Sequence, residues 1–298
     1  MRGFGVAPQV TILDGGMGRE LMRIGAPFRQ PEWSALALID GPEWVVTAHR
    51  NFINAGAQVI TTNSYAVVPF HLGDERFVTQ GRELAHLAGD LARKAVAGQP
   101  NVVVAASLPP LFGSYRPDLF DAARAADLID PLVDGLRDNA DVWLGETLGA
   151  IAEVHAVREA LDRARESRPL WISFTLDDAT PGTLRSGESV DLAVRVAHDL
   201  GATAVMFNCC QAETISHSMP IARRALPESV QIGGYANRFV AAHSTEVQAN
   251  AGLATFRDDL APHEYCSFVH DWVDMGATMV GGCCGMEPSH IAALAAAF

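Results

Sequence analysis

The stretch MGATMVGG at residues 275–282 places a glycine directly after a helical segment and a short apolar run after that glycine. The same order of residues occurs in AGAQVITT at 55–62 and in LGATAVMF at 200–207. A glycine after the last residue of a helix commonly adopts a left-handed conformation that ends the helix, and the apolar run that follows is typical of a buried strand. The three joins therefore indicate a chain in which helices and strands alternate.

Apolar runs predict eight strands, at residues 9–15, 58–64, 101–107, 141–147, 169–175, 203–209, 230–236 and 278–284. Segments with helical spacing lie between them, at residues 42–56, 74–95, 149–164, 189–200 and 288–297. Alternation of this kind over one chain fits a single (β/α)8 barrel, and a doubly wound open sheet is the alternative.

Polar or reactive residues close the apolar runs, and their positions favour the barrel. They are Asp14, Asn63, Ser107, Glu146, Thr175, Cys209, Asn237 and the pair Cys283–Cys284. In a barrel the carboxyl ends of all strands meet at one mouth, where barrel enzymes place their active sites. An open sheet would keep the ends of its first and last strands apart. We therefore predict one barrel domain over residues 1–298.

Composition limits the partners and the compartment. The net charge of −13 argues against nucleic acid and anionic membranes as partners. No apolar stretch approaches the roughly 20 residues that cross a bilayer, and the first residues do not read as a secretory signal. The five cysteines are odd in number and none precedes Cys209, which does not suggest a disulfide framework. We expect a cytoplasmic protein.

Three cysteines are candidates for a metal site. Cys209 ends the sixth predicted strand and Cys283–Cys284 end the eighth, so all three thiols could face the mouth. Three thiolates suit Zn²⁺, and an open fourth position is typical of a catalytic site. Buried free thiols are also common in inert cores, and the spacing alone leaves both interpretations open. Cys210 should point away from the mouth because strand side chains alternate, and Cys266 falls in a predicted helix.

The sequence resembles the homocysteine S-methyltransferase family along essentially its whole length. The resemblance is most specific in NC at 208–209 together with GGCCGMEPSHIAAL at 281–294. Further similar blocks are LDGGMGREL at 13–21, PEWSALAL at 31–38, HRNFINAGAQVITTNSY at 49–65, GETL at 145–148 and SFTL at 173–176.

This resemblance implies a zinc-dependent (β/α)8 barrel that moves a methyl group from an onium donor to the thiol of homocysteine and forms methionine. It places zinc on Cys209, Cys283 and Cys284, and the only catalytic group it implies is the substrate thiol that zinc activates. Among substrate-binding residues, the resemblance assigns the ammonium of homocysteine to Asp14 and Glu146. It assigns the carboxylate to the backbone N–H groups of Gly15 and Gly16. Trp33 is a candidate wall of the donor site, because an aromatic face attracts an onium methyl group.

Departures from the family pattern bear on the donor. They lie in ASLPPLFGSYRPD at 106–118 and YANRF at 235–239, two loops expected at the mouth. The consecutive prolines 109 and 110, with Phe112 and Tyr115 after them, suggest a stiff aromatic wall. The chain also resembles members without folate or cobalamin modules. We therefore rank S-methylmethionine first and S-adenosylmethionine second. Betaine is third, since betaine enzymes of the family carry further C-terminal sequence.

Other function classes are kept for comparison. A non-catalytic barrel that binds zinc or a thiol could keep the cysteines and lose Asp14 or Glu146, but both are present. Selenohomocysteine is an alternative acceptor. An aldolase-like barrel would need a lysine at a strand end for a Schiff base, and the single lysine, Lys94, lies in a predicted helix.

Overall fold

The computed structural model describes residues 10–240 and 255–298. The strands are β1 (Thr11–Ile12), β2 (Val59–Thr61), β3 (Val103–Leu108), β4 (Val142–Leu148), β5 (Leu170–Phe174), β6 (Ala202–Asn208), β7 (Gln231–Tyr235) and β8 (Met279–Val280). The helices are α1 (Met17–Ile24), α2 (Ala35–Asp40), α3 (Pro42–Asn54), α4 (Pro69–Leu72), α5 (Asp74–Ala95), α6 (Ala122–Leu136), α7 (Ile151–Arg163), α8 (Val190–Asp199), α9 (Ala212–Ala225), α10 (Pro262–Asp274) and α11 (Pro288–Ala297).

The strands form one parallel sheet in the order β1-β8-β7-β6-β5-β4-β3-β2. A parallel bridge between Leu13 and Val59 joins β1 to β2, and the amide of Gln58 donates to the carbonyl of Ile12 at 2.8 Å. These contacts bring the first and last strands of this order together, so the sheet closes into a (β/α)8 barrel. The predicted fold is confirmed, and the open-sheet alternative is wrong.

Each predicted strand run contains a strand, but β1 and β8 are only two residues long. The first predicted run begins at residue 9, which lies outside the described residues. The helix-ending glycines behave as expected, because Gly56, Gly201 and Gly276 have φ of 105°, 90° and 103°. A left-handed residue at these joins turns the chain from the outer helix back into the barrel.

Two apolar clusters fill the fold. One occupies the barrel interior and contains Leu13, Val59, Ala105, Val142, Leu144, Trp171, Ala204, Met206, Tyr235 and Met279. The larger cluster lies between the strands and the helices and includes Cys210 and Cys266. Among the described residues, no helix is long and apolar enough to span a membrane.

Candidate active site at the barrel mouth

A cavity that is partly open to solvent lies at the carboxyl ends of the strands. All eight predicted site residues line it, namely Asp14, Gly15, Gly16, Trp33, Glu146, Cys209, Cys283 and Cys284. They come from the ends of β1, β4, β6 and β8 and from the segment before α2. The barrel topology alone brings these distant parts of the sequence together.

The three cysteine sulfurs form a compact group. All three Sγ atoms lie within 4.8 Å of one another, and no other group of three potential metal ligands is found among the described residues. The Sγ atom of Cys209 lies 2.8 Å from that of Cys283 and 3.7 Å from that of Cys284. Hydrogen bonds from Cys209 and Cys283 hold the pKa of Cys284 well below its usual value, whereas the pKa values of Cys209 and Cys283 are raised, so the three thiols together favour a single thiolate at Cys284.

Glycines allow the loop after β8 to lie against the turn after β1. A Cβ atom on Gly281 would come within 3.0 Å of the carbonyl oxygen of Asp14, and one on Gly16 within 2.7 Å of the carbonyl oxygen of Cys283. The left-handed residue of this loop is Gly285, with φ of 83°. The glycines beside the cysteine pair are therefore required by close packing of two backbones as well as by a turn.

Asn208 forms hydrogen bonds with Ser173 and Thr147, and the sequence did not predict a role for it. Its side-chain oxygen accepts from the Ser173 hydroxyl at 2.7 Å and from the Thr147 amide at 3.1 Å. Its side-chain nitrogen donates to the Thr147 hydroxyl at 2.8 Å and lies 3.8 Å from the sulfur of Cys283. The one available signal was its place beside Cys209 at the end of a buried strand.

Asp14 and Glu146 form a buried acidic pair, exposed by only 6% and 9%. Thr61 donates to Asp14 through its amide at 2.8 Å and its hydroxyl at 3.1 Å. Glu146 accepts from the Ser107 hydroxyl at 2.7 Å and from the Tyr235 hydroxyl at 3.4 Å. Burial raises the pKa of Asp14 to about 8, with a further contribution from the charge of Glu146, and burial raises the pKa of Glu146 to about 7. A cation placed between the two carboxyl groups stabilises their ionised forms.

The turn after β1 leads into α1, whose first residues Met17 and Gly18 also line the cavity. The N–H of Gly16 donates to the carbonyl of Met286 at 3.0 Å. A substrate carboxylate near this N–H therefore competes with an existing hydrogen bond. The first amides of α1 have no acceptor within their own helix, so the start of α1 offers further donors at the same place.

The aromatic wall differs in part from the prediction. Trp33 and Tyr115 line the cavity, but Phe112 packs against Phe120 with ring centroids 5.8 Å apart and is not part of the lining. The hydroxyl of Tyr65 hydrogen-bonds that of Ser114 at 2.7 Å, which joins the segment after β2 to the loop after β3. Of the two loops expected at the mouth, Ser114, Tyr115 and Tyr235 reach the cavity.

His49 and His290 are buried in α3 and α11, outside the cavity. His290 accepts from the amide of Glu287 at 3.1 Å and contacts the carbonyl of Leu260 at 3.1 Å, so it fixes the start of α11. Burial lowers the pKa of His49 to about 3. Both are structural residues of the barrel.

A (β/α)8 barrel with three clustered thiols beside a buried acidic pair at its mouth defines an enzyme that acts on a small substrate. The sequence matches the homocysteine S-methyltransferase family over residues 11–298. The chain belongs to this family and is a methyltransferase.

Three similar proteins support this assignment. The chain is 29% identical to homocysteine S-methyltransferase of Escherichia coli (strain K12), over 96% of this chain and 94% of that protein. It is 25% identical to selenocysteine Se-methyltransferase of Brassica oleracea var. italica, over 95% and 87%. The metallated form of the Escherichia coli homocysteine methyltransferase MmuM superposes with a TM-score of 0.79 at 28% identity, over 97% and 96% of the two chains.

Proposed function

We propose that this methyltransferase moves a methyl group from a sulfonium donor, S-methylmethionine in first place and S-adenosylmethionine in second, to the thiol of homocysteine. The observation that carries the proposal is the cavity that joins three cysteine sulfurs to the buried pair Asp14 and Glu146. Homocysteine carries a thiol, which matches the cysteine sulfurs, and an ammonium, which matches the acidic pair. Residues 1–298 are taken as one homocysteine-binding domain.

Cys209, Cys283 and Cys284 would hold Zn²⁺. Thiolates are preferred zinc ligands, and two sulfurs on a tetrahedral zinc ion lie about 3.8 Å apart. The Cys209–Cys284 separation of 3.7 Å agrees with that value, whereas the Cys209–Cys283 separation of 2.8 Å is shorter. When bound, zinc lowers the pKa of a substrate thiol and so provides a thiolate nucleophile at neutral pH.

The amino-acid end of homocysteine would be held by the acidic pair and the turn after β1. Asp14 and Glu146 accept the ammonium, and their elevated pKa values mean that binding of the cation also favours loss of their protons. The carboxylate lies against Gly15, Gly16 and the first amides of α1. Trp33, which is 8% exposed, walls the donor side.

The transfer itself is an in-line displacement. A bond forms between the homocysteine sulfur and the methyl carbon while the bond from that carbon to the donor sulfur breaks, and its electron pair stays on the donor sulfur. The thiol proton leaves to solvent when the thiolate forms. With S-methylmethionine as donor, both products are methionine. Negative and positive charges cancel in this step, so alignment of the two sulfur atoms with the methyl carbon provides the catalysis.

A selenol amino acid is a second candidate acceptor, because one similar protein is named a selenocysteine Se-methyltransferase. A selenol amino acid, such as selenocysteine or selenohomocysteine, would present the same ammonium and a softer nucleophile to the cysteine group. Betaine remains the third candidate donor.

Methionine formation from homocysteine with each donor in turn tests the proposal. Ser114 and Tyr115 reach the cavity from the proline-containing loop after β3, and in the proposed arrangement this loop disfavours an adenosine group. We expect a kcat/KM for S-methylmethionine at least about tenfold above that for S-adenosylmethionine, which corresponds to about 1.4 kcal/mol. Equal or reversed values would contradict the donor assignment, and no transfer from any sulfonium donor would contradict the proposed function.

A further inference from the structure

A β-bulge lies in β4 at Glu146 and Thr147. The pairing of β4 with β5 shifts between Gly145 and Leu148, so that β4 has one residue more than β5 over this interval. Side chains of successive residues in a regular strand point to opposite faces, whereas Glu146 and Thr147 both line the cavity. A bulge beside a site commonly redirects a side chain, and this one turns the carboxyl group of Glu146 towards the cavity.

The side chain of Asn208 provides the hydrogen bonds that this bulge needs. Its oxygen accepts from the amide of Thr147 at 3.1 Å, and its nitrogen donates to the Thr147 hydroxyl at 2.8 Å. A bulge interrupts the backbone hydrogen bonds of a strand, and a buried N–H group without an acceptor is costly. Thr147 also has φ of 60°, a conformation that persists where surrounding contacts enforce it. Asn208 therefore holds the bulge and, with it, the direction of the neighbouring Glu146.

The same amide group also reaches the cysteine sulfurs. Asn208 is fully buried and is the last residue of β6, directly before Cys209. The backbone N–H of Thr147 can only donate, so it fixes the amide oxygen on its own side, and the Ser173 hydroxyl donates to that oxygen at 2.7 Å. The amide nitrogen then donates to the sulfur of Cys283 over 3.8 Å, a distance that the large radius of sulfur allows. The amide uses both of its hydrogens and accepts two hydrogen bonds, so it cannot turn without losing several of them.

Asn208 thus connects the two groups proposed for the two ends of homocysteine. Glu146 belongs to the pair proposed for the ammonium, and Cys283 belongs to the sulfurs proposed to hold zinc for the thiol. They come from β4 and from the segment after β8, which are not neighbours in the sheet. A small substrate contacts both groups only when their separation matches its length, so a side chain that fixes both affects binding at both ends.

We propose that Asn208 is a positioning residue that keeps the Glu146 carboxyl group and the Cys283 sulfur at the separation that homocysteine requires. This inference rests on the proposed function. Asn208 is not part of the cavity lining, so it acts on the ammonium site through Thr147 and on the metal site through Cys283. Hydrogen bonds to the ligands of a metal site commonly change its affinity by about tenfold or more.

The test measures the two ends of the site separately. Asn208→Leu keeps the approximate size of the side chain and removes all its hydrogen bonds. In the zinc-free protein, calorimetry should show about tenfold weaker binding of methionine, because its ammonium uses the acidic pair. Competition with a chelator of known affinity should show about tenfold weaker binding of zinc.

Asn139→Leu is the matched control. Asn139 is also a buried asparagine, and its side chain donates to Asp90 at 2.8 Å. It precedes β4, at the end of the barrel opposite the cavity. The same substitution there removes a buried hydrogen bond and should lower the Tm, but it should leave the affinities for methionine and for zinc unchanged.

Asn208→Asp separates the two roles and also serves as the test if Asn208→Leu does not fold. Its carboxyl group keeps an acceptor for the Thr147 amide and the Ser173 hydroxyl but has no N–H group for Cys283. The variant should bind methionine nearly as the wild type does. With Co²⁺ in place of zinc, its sulfur-to-cobalt absorption band should be shifted from that of the wild type.

Three results would show that the inference is wrong while the proposed function stands. The first is an Asn208→Leu variant with a lower Tm but unchanged affinities for methionine and zinc. The second is a loss of only one of the two affinities in that variant, and the third is an unshifted Co²⁺ band in Asn208→Asp. A wild type that binds neither methionine nor zinc would contradict both the inference and the proposed function.

Discussion

Four residues that line the cavity have a left-handed backbone although none is a glycine. Trp33, Tyr115, Thr147 and Cys209 have φ of 54°, 61°, 60° and 55°. This conformation costs about 1 kcal/mol or more for a residue with a side chain, and it persists where surrounding contacts enforce it. At Thr147 the contacts come from Asn208, which bonds both its amide and its hydroxyl. Four of the five non-glycine residues with a left-handed backbone among the described residues therefore line the candidate site.

The acidic pair makes amino-acid binding depend on pH. A protonated carboxyl group cannot pair with an ammonium, and the pKa values of Asp14 and Glu146 in the free protein are about 8 and about 7. The ammonium of a free amino acid stays protonated over this range, so affinity should increase as the pH rises from about 6 to about 8 and should level off above that. We expect a gain of about tenfold, measured by calorimetry with methionine, which has no thiol to titrate.

Glu146→Gln separates the two carboxyl groups in this experiment. The variant should bind methionine more weakly, keep its zinc, and show a pH dependence governed by Asp14 alone. Its midpoint should lie below about 8, because the charge of Glu146 no longer raises the pKa of Asp14. An affinity for methionine that does not change between pH 6 and pH 8 would show that the pair does not bind the ammonium. Loss of zinc would instead identify Glu146 as a metal ligand.

The sequence predicts the presence of the strands and helices more completely than it predicts their first and last residues. Buried parallel strands read as apolar runs, and the glycines at 56, 201 and 276 mark the helix ends, so local signals were sufficient there. The shortness of β1 and β8 was not predictable, because it depends on the approach of two loops. There the amide of Gly282 donates to the carbonyl of Asp14 at 2.9 Å. The site residues were found through motifs, whereas the roles of Thr61 and Asn208 follow from hydrogen bonds across strands.

One such contact between elements holds the start of α9, which begins just after Cys209 and Cys210. The Asp178 carboxylate accepts from the amide of Gln211 at 2.8 Å and from the hydroxyl of Thr214 at 2.9 Å, and it pairs with Arg185 at 3.2 Å. Asp178→Ala should lower the free energy of unfolding by about 1 to 2 kcal/mol, because an amide at the start of a helix loses its acceptor. Urea unfolding followed by circular dichroism measures this change.

Asp191→Ala is the control for that experiment. Asp191 also pairs with an arginine, Arg195, at 3.0 Å, but both side chains are more than half exposed. Its removal should leave the unfolding midpoint nearly unchanged, since exposed ion pairs contribute little. Equal effects of the two substitutions would mean that Asp178 acts only as a surface charge and not as the anchor of α9.

At the scale of the whole molecule, the proposed metal site lies at the edge of the apolar core. The sulfurs of Cys209, Cys283 and Cys284 lie at the mouth, where Cys283 packs against the interior cluster, while most of the packing that holds the barrel lies inside the strands and between strands and helices. Closure between β1 and β2 through Leu13 and Val59 also involves no cysteine. The sequence predicted this arrangement because polar strand ends and apolar strand bodies are distinct in each run.

Removal of the proposed zinc should therefore destabilise the protein without unfolding it. An ion that binds only the folded state raises the free energy of unfolding, and this increase grows with the logarithm of the ratio of ion concentration to Kd. Chelation should therefore lower the Tm by several degrees. The far-UV circular dichroism at 25 °C should not change. In small domains built around structural zinc, by contrast, chelation abolishes the fold.

Two cysteine variants assign the chelator effect to the site. The wild type should bind one zinc per chain. Cys283→Ala lacks one of the three ligands, so it should bind less zinc, and chelator should not lower its Tm. Cys210→Ala should keep its zinc, and chelator should lower its Tm as in the wild type, since Cys210 packs between the barrel and its helices. Unchanged zinc in Cys283→Ala, or unfolding of the wild type by chelator, would contradict a metal site that lies at the edge of the core.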